Sequence, residues 1–96
     1  MNQNFKIFMR TQMGVLNGFL NLKQVNNELM GNINFNGKSY EFRNGKINGN
    51  NFEFSGMLKV FLKKINYNAI GEINNKNITI NINTNMGSFK IEGEKI

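Results

Sequence analysis

The chain has 96 residues, a net charge of +6 at pH 7 and a sequence pI of about 9.9. This length suits one domain with one core, and no apolar run approaches the roughly 20 residues that a membrane-spanning helix needs. The sequence contains no His, Cys or Asp. It therefore lacks the common general base, the thiolate nucleophile and any disulfide.

Apolar and polar residues alternate along almost the whole chain, as is typical of β-strands. In chain order the alternation predicts eight strands, at residues 5–12, 15–23, 28–35, 38–43, 51–60, 65–74, 77–84 and 88–95. Asn36-Gly37 and Asn48-Gly49 predict tight hairpin turns, because both central residues of a type I′ turn need positive φ. Weaker turn signals lie at Asn26-Asn27 and Asn75-Lys76, and a break in the alternation at Asn44-Gly45 indicates a bulge. With no proline and no long linker, residues 1–96 are expected to form a single domain.

Five of the ten glycines lie on the apolar phase of these strands, not in turns: Gly18, Gly31, Gly56, Gly71 and Gly93. Glycine weakens a strand, so its repeated use there indicates sharp bends or close approach, as in tightly coiled barrels. The turn sequence Thr11-Gln12-Met13-Gly14 also recurs as Thr84-Asn85-Met86-Gly87. We therefore expect an all-β fold, a single eight-stranded antiparallel up-and-down β-barrel, in which closure removes both exposed edges.

Four framework motifs carry a resemblance over nearly the whole chain: Thr11-x-Met13-Gly14, Gly18-x-Leu20-x-Leu22, Leu29-x-Gly31-x-Ile33 and Phe52-x-Phe54-x-Gly56-x-Leu58-Lys59. They resemble a group of small, uncharacterised bacterial proteins and, more distantly, the avidin- and lipocalin-like (calycin-like) barrels. The resemblance implies the barrel architecture. It also implies, by analogy with the distant relatives, a small apolar molecule in the barrel mouth. The chain has no Trp, so a Trp-lined pocket of the avidin kind is excluded.

The polar residues of the inward phase all lie near one end of the predicted barrel: Thr11, Tyr40, Tyr67 and Thr84. Tyr67 is expected opposite Thr84, within reach of a hydrogen bond. The turns at this end carry large apolar residues, which at exposed tips usually need a partner: Met13, Phe61, Leu62 and Met86. The sequence thus predicts a mouth that binds a small apolar or amphipathic molecule through Thr11, Tyr40, Phe61, Leu62, Tyr67, Thr84 and Met86. The alternative is that the tips fold over as a lid while the hydroxyls reach solvent.

The residue types in this chain give little support for a catalytic site or a metal site. All six carboxylates fall on the outward phase: Glu28, Glu41, Glu53, Glu72, Glu92 and Glu94. No paired-carboxylate site inside the barrel, no metal and no cofactor is therefore expected. The hypothesis of an enzyme that acts mainly by holding its substrate in a reactive shape stays open.

The outward face suggests other partners. Phe8 is expected opposite Phe19 with Met30 nearby, and Met57 is expected beside Ile70, so a homodimer or another protein partner is the alternative to a small ligand. A nucleic-acid surface is not favoured, because most aromatic residues point inward. Membrane insertion is not expected either, and the expected location is cytoplasmic.

Overall fold

A computed structural model describes the backbone of residues 2–12, 14–60 and 62–96, and every regular element in these ranges is a β-strand. The strands are β1 Asn2–Thr11, β2 Gly14–Val25, β3 Glu28–Phe35, β4 Lys38–Asn48, β5 Asn51–Val60, β6 Lys63–Asn74, β7 Asn77–Thr84 and β8 Gly87–Lys95. Within the same ranges no helix is long and apolar enough to cross a membrane.

The eight strands form one closed sheet. Each strand pairs antiparallel with the next in sequence, and β8 returns to pair with β1 from Phe5 opposite Lys95 to Met9 opposite Ile91. One further backbone hydrogen bond extends the closing seam, from the Ile96 amide to the Asn4 carbonyl at 2.9 Å. The predicted all-β fold, an eight-stranded antiparallel up-and-down β-barrel, is confirmed.

Strand β4 differs most from the sequence prediction, which ended it at residue 43. The register between β3 and β4 shifts between Leu29 and Gly31, and Asn44 has a φ of 62°. This is the bulge expected at Asn44-Gly45, and the extra residue it absorbs lets the strand continue to Asn48. Beyond the bulge the inward positions change phase, so Ile47 packs against the core, a contact that the sequence prediction missed.

The hairpin turns follow the predicted positions with two corrections, at Asn48-Gly49 and at the first turn, where Thr11 pairs with Gly14. Asn36 and Gly37 both have positive φ, 52° and 77°, as a type I′ turn requires. The turn predicted at Asn48-Gly49 lies one residue later, because Asn48 pairs with Asn51. This register places Ile47 opposite Phe52, so both side chains face inward; a slip of one residue would send one strand's apolar set to solvent.

The internal sequence repeat has a structural counterpart. The Thr11 hydroxyl donates a hydrogen bond to the Gly14 carbonyl at 2.8 Å, and the Thr84 hydroxyl donates to the Gly87 carbonyl at 2.7 Å. Gly14 and Gly87 both have positive φ, 115° and 130°, which side chains rarely tolerate. The two turns therefore share this hydrogen bond and this glycine conformation, and they lie at the same end of the barrel.

The core consists of apolar side chains from all eight strands, and every one lies on the predicted inward phase. Its buried members are Phe5, Ile7, Leu20, Leu22, Leu29, Ile33, Phe42, Phe52, Phe54, Ala69, Ile78, Ile80 and Ile91.

Inward glycines lie directly opposite large side chains on neighbouring strands. Four such pairs place a glycine against an aromatic ring: Gly18 and Phe35, Gly31 and Phe42, Gly56 and Tyr67, Gly71 and Phe52. A Cβ added at Gly31 would lie 2.5 Å from Cζ of Phe42, and one added at Gly71 would overlap the ring of Phe52. The glycines therefore leave the space into which the rings fold, as expected from their inward placement.

Gly71 gives the cleanest test of this packing, since the three atoms nearest to an added Cβ all belong to the ring of Phe52. We expect Gly71→Ala to lower the free energy of unfolding, measured in urea, by about 1 to 3 kcal/mol through overpacking. In a Phe52→Leu background the same substitution should cost less, with a coupling of roughly 0.5 to 3 kcal/mol. Glu72→Ala, on the outward side of the same strand, serves as the uncoupled control. Equal costs in both backgrounds would contradict the packing account.

Candidate functional site

An apolar cavity of about 270 Å³ lies in one half of the barrel. All eight strands contribute to its wall: Met9, Leu16, Ile33, Phe35, Tyr40, Phe42, Phe54, Ile65, Tyr67, Ile82, Thr84, Phe89 and Ile91. Most of these residues belong to strand segments adjoining the turns at residues 12–13, 36–37, 61–62 and 85–86, which we call the open end. The turns at residues 26–27, 49–50 and 75–76 form the closed end.

Stacked aromatic rings form the floor of the cavity. The rings of Phe42 and Phe54 are parallel with centroids 3.8 Å apart, and Tyr67 meets Phe54 edge to face at 6.1 Å. Phe52 continues the stack toward the closed end, with its centroid 6.3 Å from that of Phe54.

Below the floor the barrel is solidly packed. Side chains in the closed half are almost fully buried, as with Phe5, Leu22, Leu29, Ile78 and Ile80, none more than 1% exposed. The cavity walls nearest the open end are instead half-buried or exposed. The cavity is therefore blind, with a single mouth at the open end.

Three hydroxyl groups line the cavity, and in the described part of the chain those of Tyr40 and Tyr67 have no hydrogen-bond partner. The Thr84 hydroxyl donates to the Gly87 carbonyl at 2.7 Å and accepts from the Met86 amide at 3.0 Å. Tyr67 lies opposite Thr84, as predicted, yet the hydrogen bond expected between them is not found among the described residues. The turn has already engaged the threonine, which leaves the phenols of Tyr40 and Tyr67 as the polar groups of the wall.

Burial changes the ionisation of one of these phenols. Desolvation raises the pKa of Tyr67 above its ordinary value of 10.0, because the charged phenolate is disfavoured where water is excluded. Tyr67 therefore stays a neutral hydrogen-bond donor throughout the physiological pH range. Its hydroxyl lies over Gly56, where an added Cβ would come within 2.7 Å of the oxygen.

The structure brings together part of the predicted site. Tyr40, Tyr67 and Thr84 line the cavity. Thr11 does not line it, although its hydrogen bond to Gly14 matches the one that Thr84 makes to Gly87. Leu62 is 96% exposed and Met86 is 57% exposed, so both lie on the rim and face solvent without lining the cavity. Phe61, which the sequence predicted for this site, and Met13, another predicted tip, lie outside the described residues.

The sequence prediction missed the apolar majority of the wall. These residues were already on the predicted inward phase, and counting from the open-end turns would have separated them from the packed half of the core. The prediction favoured hydroxyl groups instead. The missed residues are Met9, Leu16, Ile33, Phe35, Phe42, Phe54, Ile65, Ile82, Phe89 and Ile91.

The outer surface also differs from prediction. Phe8 lies opposite Asn17 and Phe19 opposite Lys6, because the first turn is centred on residues 12–13 and Gly14 belongs to β2. The predicted Phe8–Phe19 pair is therefore wrong, and Met30 lies farther along β3, opposite Lys23.

The second apolar pair predicted on the outside is likewise absent, since Met57 lies opposite Asn66 and Ile70 opposite Glu53. All six glutamates are on the outer surface. Among the described residues no group of three or more His, Cys, Asp or Glu side chains could hold a metal ion. What the cavity can do chemically is exclude water from an apolar body and donate hydrogen bonds from two phenols.

In comparison with known proteins, no family model, no curated protein and no solved structure matches this chain. The resemblance to avidin- and lipocalin-like barrels therefore stays a hypothesis. The functional argument depends on the geometry of the cavity and its rim.

The raised pKa of Tyr67 has a consequence for stability. The neutral phenol favours the folded state, so its contribution is fully present below about pH 10 and is lost as the pH rises through the folded-state pKa. We expect the free energy of unfolding to fall above pH 10, and to fall less in Tyr67→Phe than in Tyr40→Phe. The measurement is chemical denaturation across alkaline pH, with the ultraviolet absorbance of tyrosinate as a second readout. Identical pH profiles for the two variants would contradict the assignment.

Proposed function

We propose that the barrel binds one small apolar or amphipathic molecule in the cavity at its open end. The observation that supports this most strongly is the blind, one-mouthed cavity lined by carbon-rich side chains from every strand. An eight-stranded barrel is just wide enough either to be filled by side chains or to hold one small ligand. In this barrel, side chains fill the closed half, and the open half leaves room for one small ligand.

The size of the cavity limits the ligand. At about 270 Å³ it lies at the small end of ligand pockets, which typically measure roughly 300 to 1,000 Å³. A compact ring system or a short acyl chain fits this volume better than a large cofactor. Each methylene group that leaves water contributes about 0.8 kcal/mol, so most of the affinity would come from apolar burial.

Polar contacts would orient the ligand without dominating its affinity. The neutral phenols of Tyr40 and Tyr67 lie on the cavity wall, where either can donate a hydrogen bond to a carbonyl or hydroxyl oxygen. A hydrogen bond of this kind contributes roughly 0.5 to 1.5 kcal/mol, since water is exchanged for the ligand. We therefore propose a ligand that has an apolar body and, optionally, a polar group on the side that faces these two tyrosines.

A neutral apolar fluorophore tests the cavity directly. N-phenylnaphthylamine should bind with 1:1 saturation and shift the amide resonances of Tyr40, Tyr67 and Thr84 before those of the closed half. Ile82→Phe should abolish binding, because Ile82 lines the cavity opposite the small Ala69 and a ring there fills the space. Ile70→Phe is the matched control, since Ile70 faces outward and is exposed.

The outcome that would overturn the proposal is equal binding by the two phenylalanine variants, or no binding by wild type. Circular dichroism and one-dimensional NMR spectra establish that both variants are folded. For a probe that carries a carbonyl group, Tyr67→Phe should weaken binding about 2- to 12-fold, which is the worth of one hydrogen bond.

A homodimer is the alternative function, and one observation favours it. Phe19 is 58% exposed on the outer face, with Asn34 and Lys6 as its cross-strand neighbours. If this ring forms a two-fold contact, Phe19→Lys should convert a dimer to a monomer in sedimentation without changing the fold. A wild-type protein that sediments as a monomer at high concentration would contradict the dimer.

The wider setting of the barrel stays a prediction. The cytoplasmic location expected from the sequence would be tested by cell fractionation. The proposed binding needs no cofactor and no metal ion, and it makes no use of nucleic acid.

A further inference from the structure

The charge of the protein is distributed unequally between the two ends of the barrel. Within three residues of the closed-end turns, each turn carries one lysine and one glutamate: Lys23 with Glu28, Lys46 with Glu53, and Lys76 with Glu72. Within three residues of the open-end turns the sequence has no carboxylate and five basic residues: Arg10, Lys38, Lys59, Lys63 and Lys64. Most of the net charge of +6 therefore surrounds the mouth of the cavity.

These cations are available to a partner. Arg10, Lys38, Lys63 and Lys64 are exposed, and none forms an ion pair with another residue in the described part of the chain. Arg10 makes one modest contact, with its guanidinium carbon 5.9 Å from the centroid of the Phe8 ring. The rim thus presents a positive potential, with no carboxylate within three residues of its turns in the sequence.

The same rim exposes large apolar side chains. Leu62 and Met86 occupy turn centres and are mainly exposed, Val15 follows the first turn, and Phe89 lies at the cavity mouth. The closed-end turn centres are instead polar or glycine: Asn26, Asn27, Gly49, Asn50, Asn75 and Lys76. Among the described residues, apolar side chains occupy turn centres at the open end only. At the closed end Val25 and Ile96 are also exposed, but they lie beside a turn and after the closing strand.

We propose that the open end docks peripherally onto an anionic lipid surface, with Leu62 and Met86 at the depth of the headgroups. Negative headgroups above hydrocarbon offer both features that the rim complements, since basic residues are attracted to the surface potential and apolar tips are buried beneath it. Docking in this orientation would place the cavity mouth against the bilayer. The proposal does not depend on cavity occupancy, because Leu62, Met86 and the basic residues of the rim lie outside the cavity wall.

A soluble polyanion fits the rim less well. Single-stranded nucleic acid is bound by aromatic rings interleaved with basic residues, and the rim turns present aliphatic Leu62 and Met86 at their centres. A polyanion would also leave these apolar tips in water. An anionic lipid surface is the partner that would contact both the basic residues and the apolar tips of the rim.

Vesicle co-sedimentation with the full chain tests the proposal. Wild type should bind vesicles of phosphatidylcholine mixed with phosphatidylglycerol, bind pure phosphatidylcholine weakly, and release as salt is added. The double variant Lys63→Gln/Lys64→Gln should bind about 30-fold more weakly, because each basic residue near an anionic surface contributes about a factor of five or more. Leu62→Asn should weaken binding about tenfold through lost apolar burial.

Matched variants at the closed end act as controls. Lys46→Gln/Lys76→Gln removes the same charge, and Val25→Asn removes an exposed apolar side chain beside a closed-end turn. These should bind vesicles like wild type. Equal losses at the two ends, or no binding to the anionic vesicles, would overturn the proposal. A third outcome would assign the rim to soluble polyanions instead. In that case the protein would bind a single-stranded oligonucleotide, and Leu62→Asn would weaken neither oligonucleotide binding nor vesicle binding.

Discussion

The contact between an inward glycine and the side chain facing it from the next strand shapes this barrel. A hydrogen atom at Gly31 or Gly71 lets the ring of Phe42 or Phe52 fold flat across the neighbouring strand, where any Cβ would collide with it. The rings can then stack along the interior, as Phe42 and Phe54 do. Close packing of the core therefore depends on these glycines, because each leaves the room that a ring fills.

This arrangement divides the interior unevenly. The aromatic stack and the isoleucines beneath it fill the closed half, while the open half ends in walls that no further ring covers. The polar groups at the open end also differ from one another. The Thr84 hydroxyl is hydrogen-bonded to the backbone of its own turn, whereas the phenols of Tyr40 and Tyr67 lie at the cavity wall. Charge and exposed apolar surface also concentrate at this end. Cavity and rim thus form one continuous surface.

Much of the fold could be predicted from the sequence because alternation and turn chemistry are local properties. The eight strands, the bulge at Asn44 and the inward positions outside the second half of β4 follow from residue type and spacing. Cross-strand pairs could not be predicted as well, because moving the first turn by one residue shifts every partner, as it did for Phe8 and Phe19. The site was predicted in part for a related reason. A hydroxyl on the inward phase indicates a wet end of the barrel, but only the folded turn shows that Thr11 and Thr84 are already hydrogen-bonded.

Xenon under pressure reports apolar space without requiring knowledge of a natural ligand, and it therefore tests the division between an open and a filled half most directly. In crystals of the protein, we expect xenon between Phe54, Ile65 and Tyr67, with none among Phe5, Leu29 and Ile78. Xenon in the closed half, or an open half that takes up none because its side chains have closed over the cavity, would contradict the account.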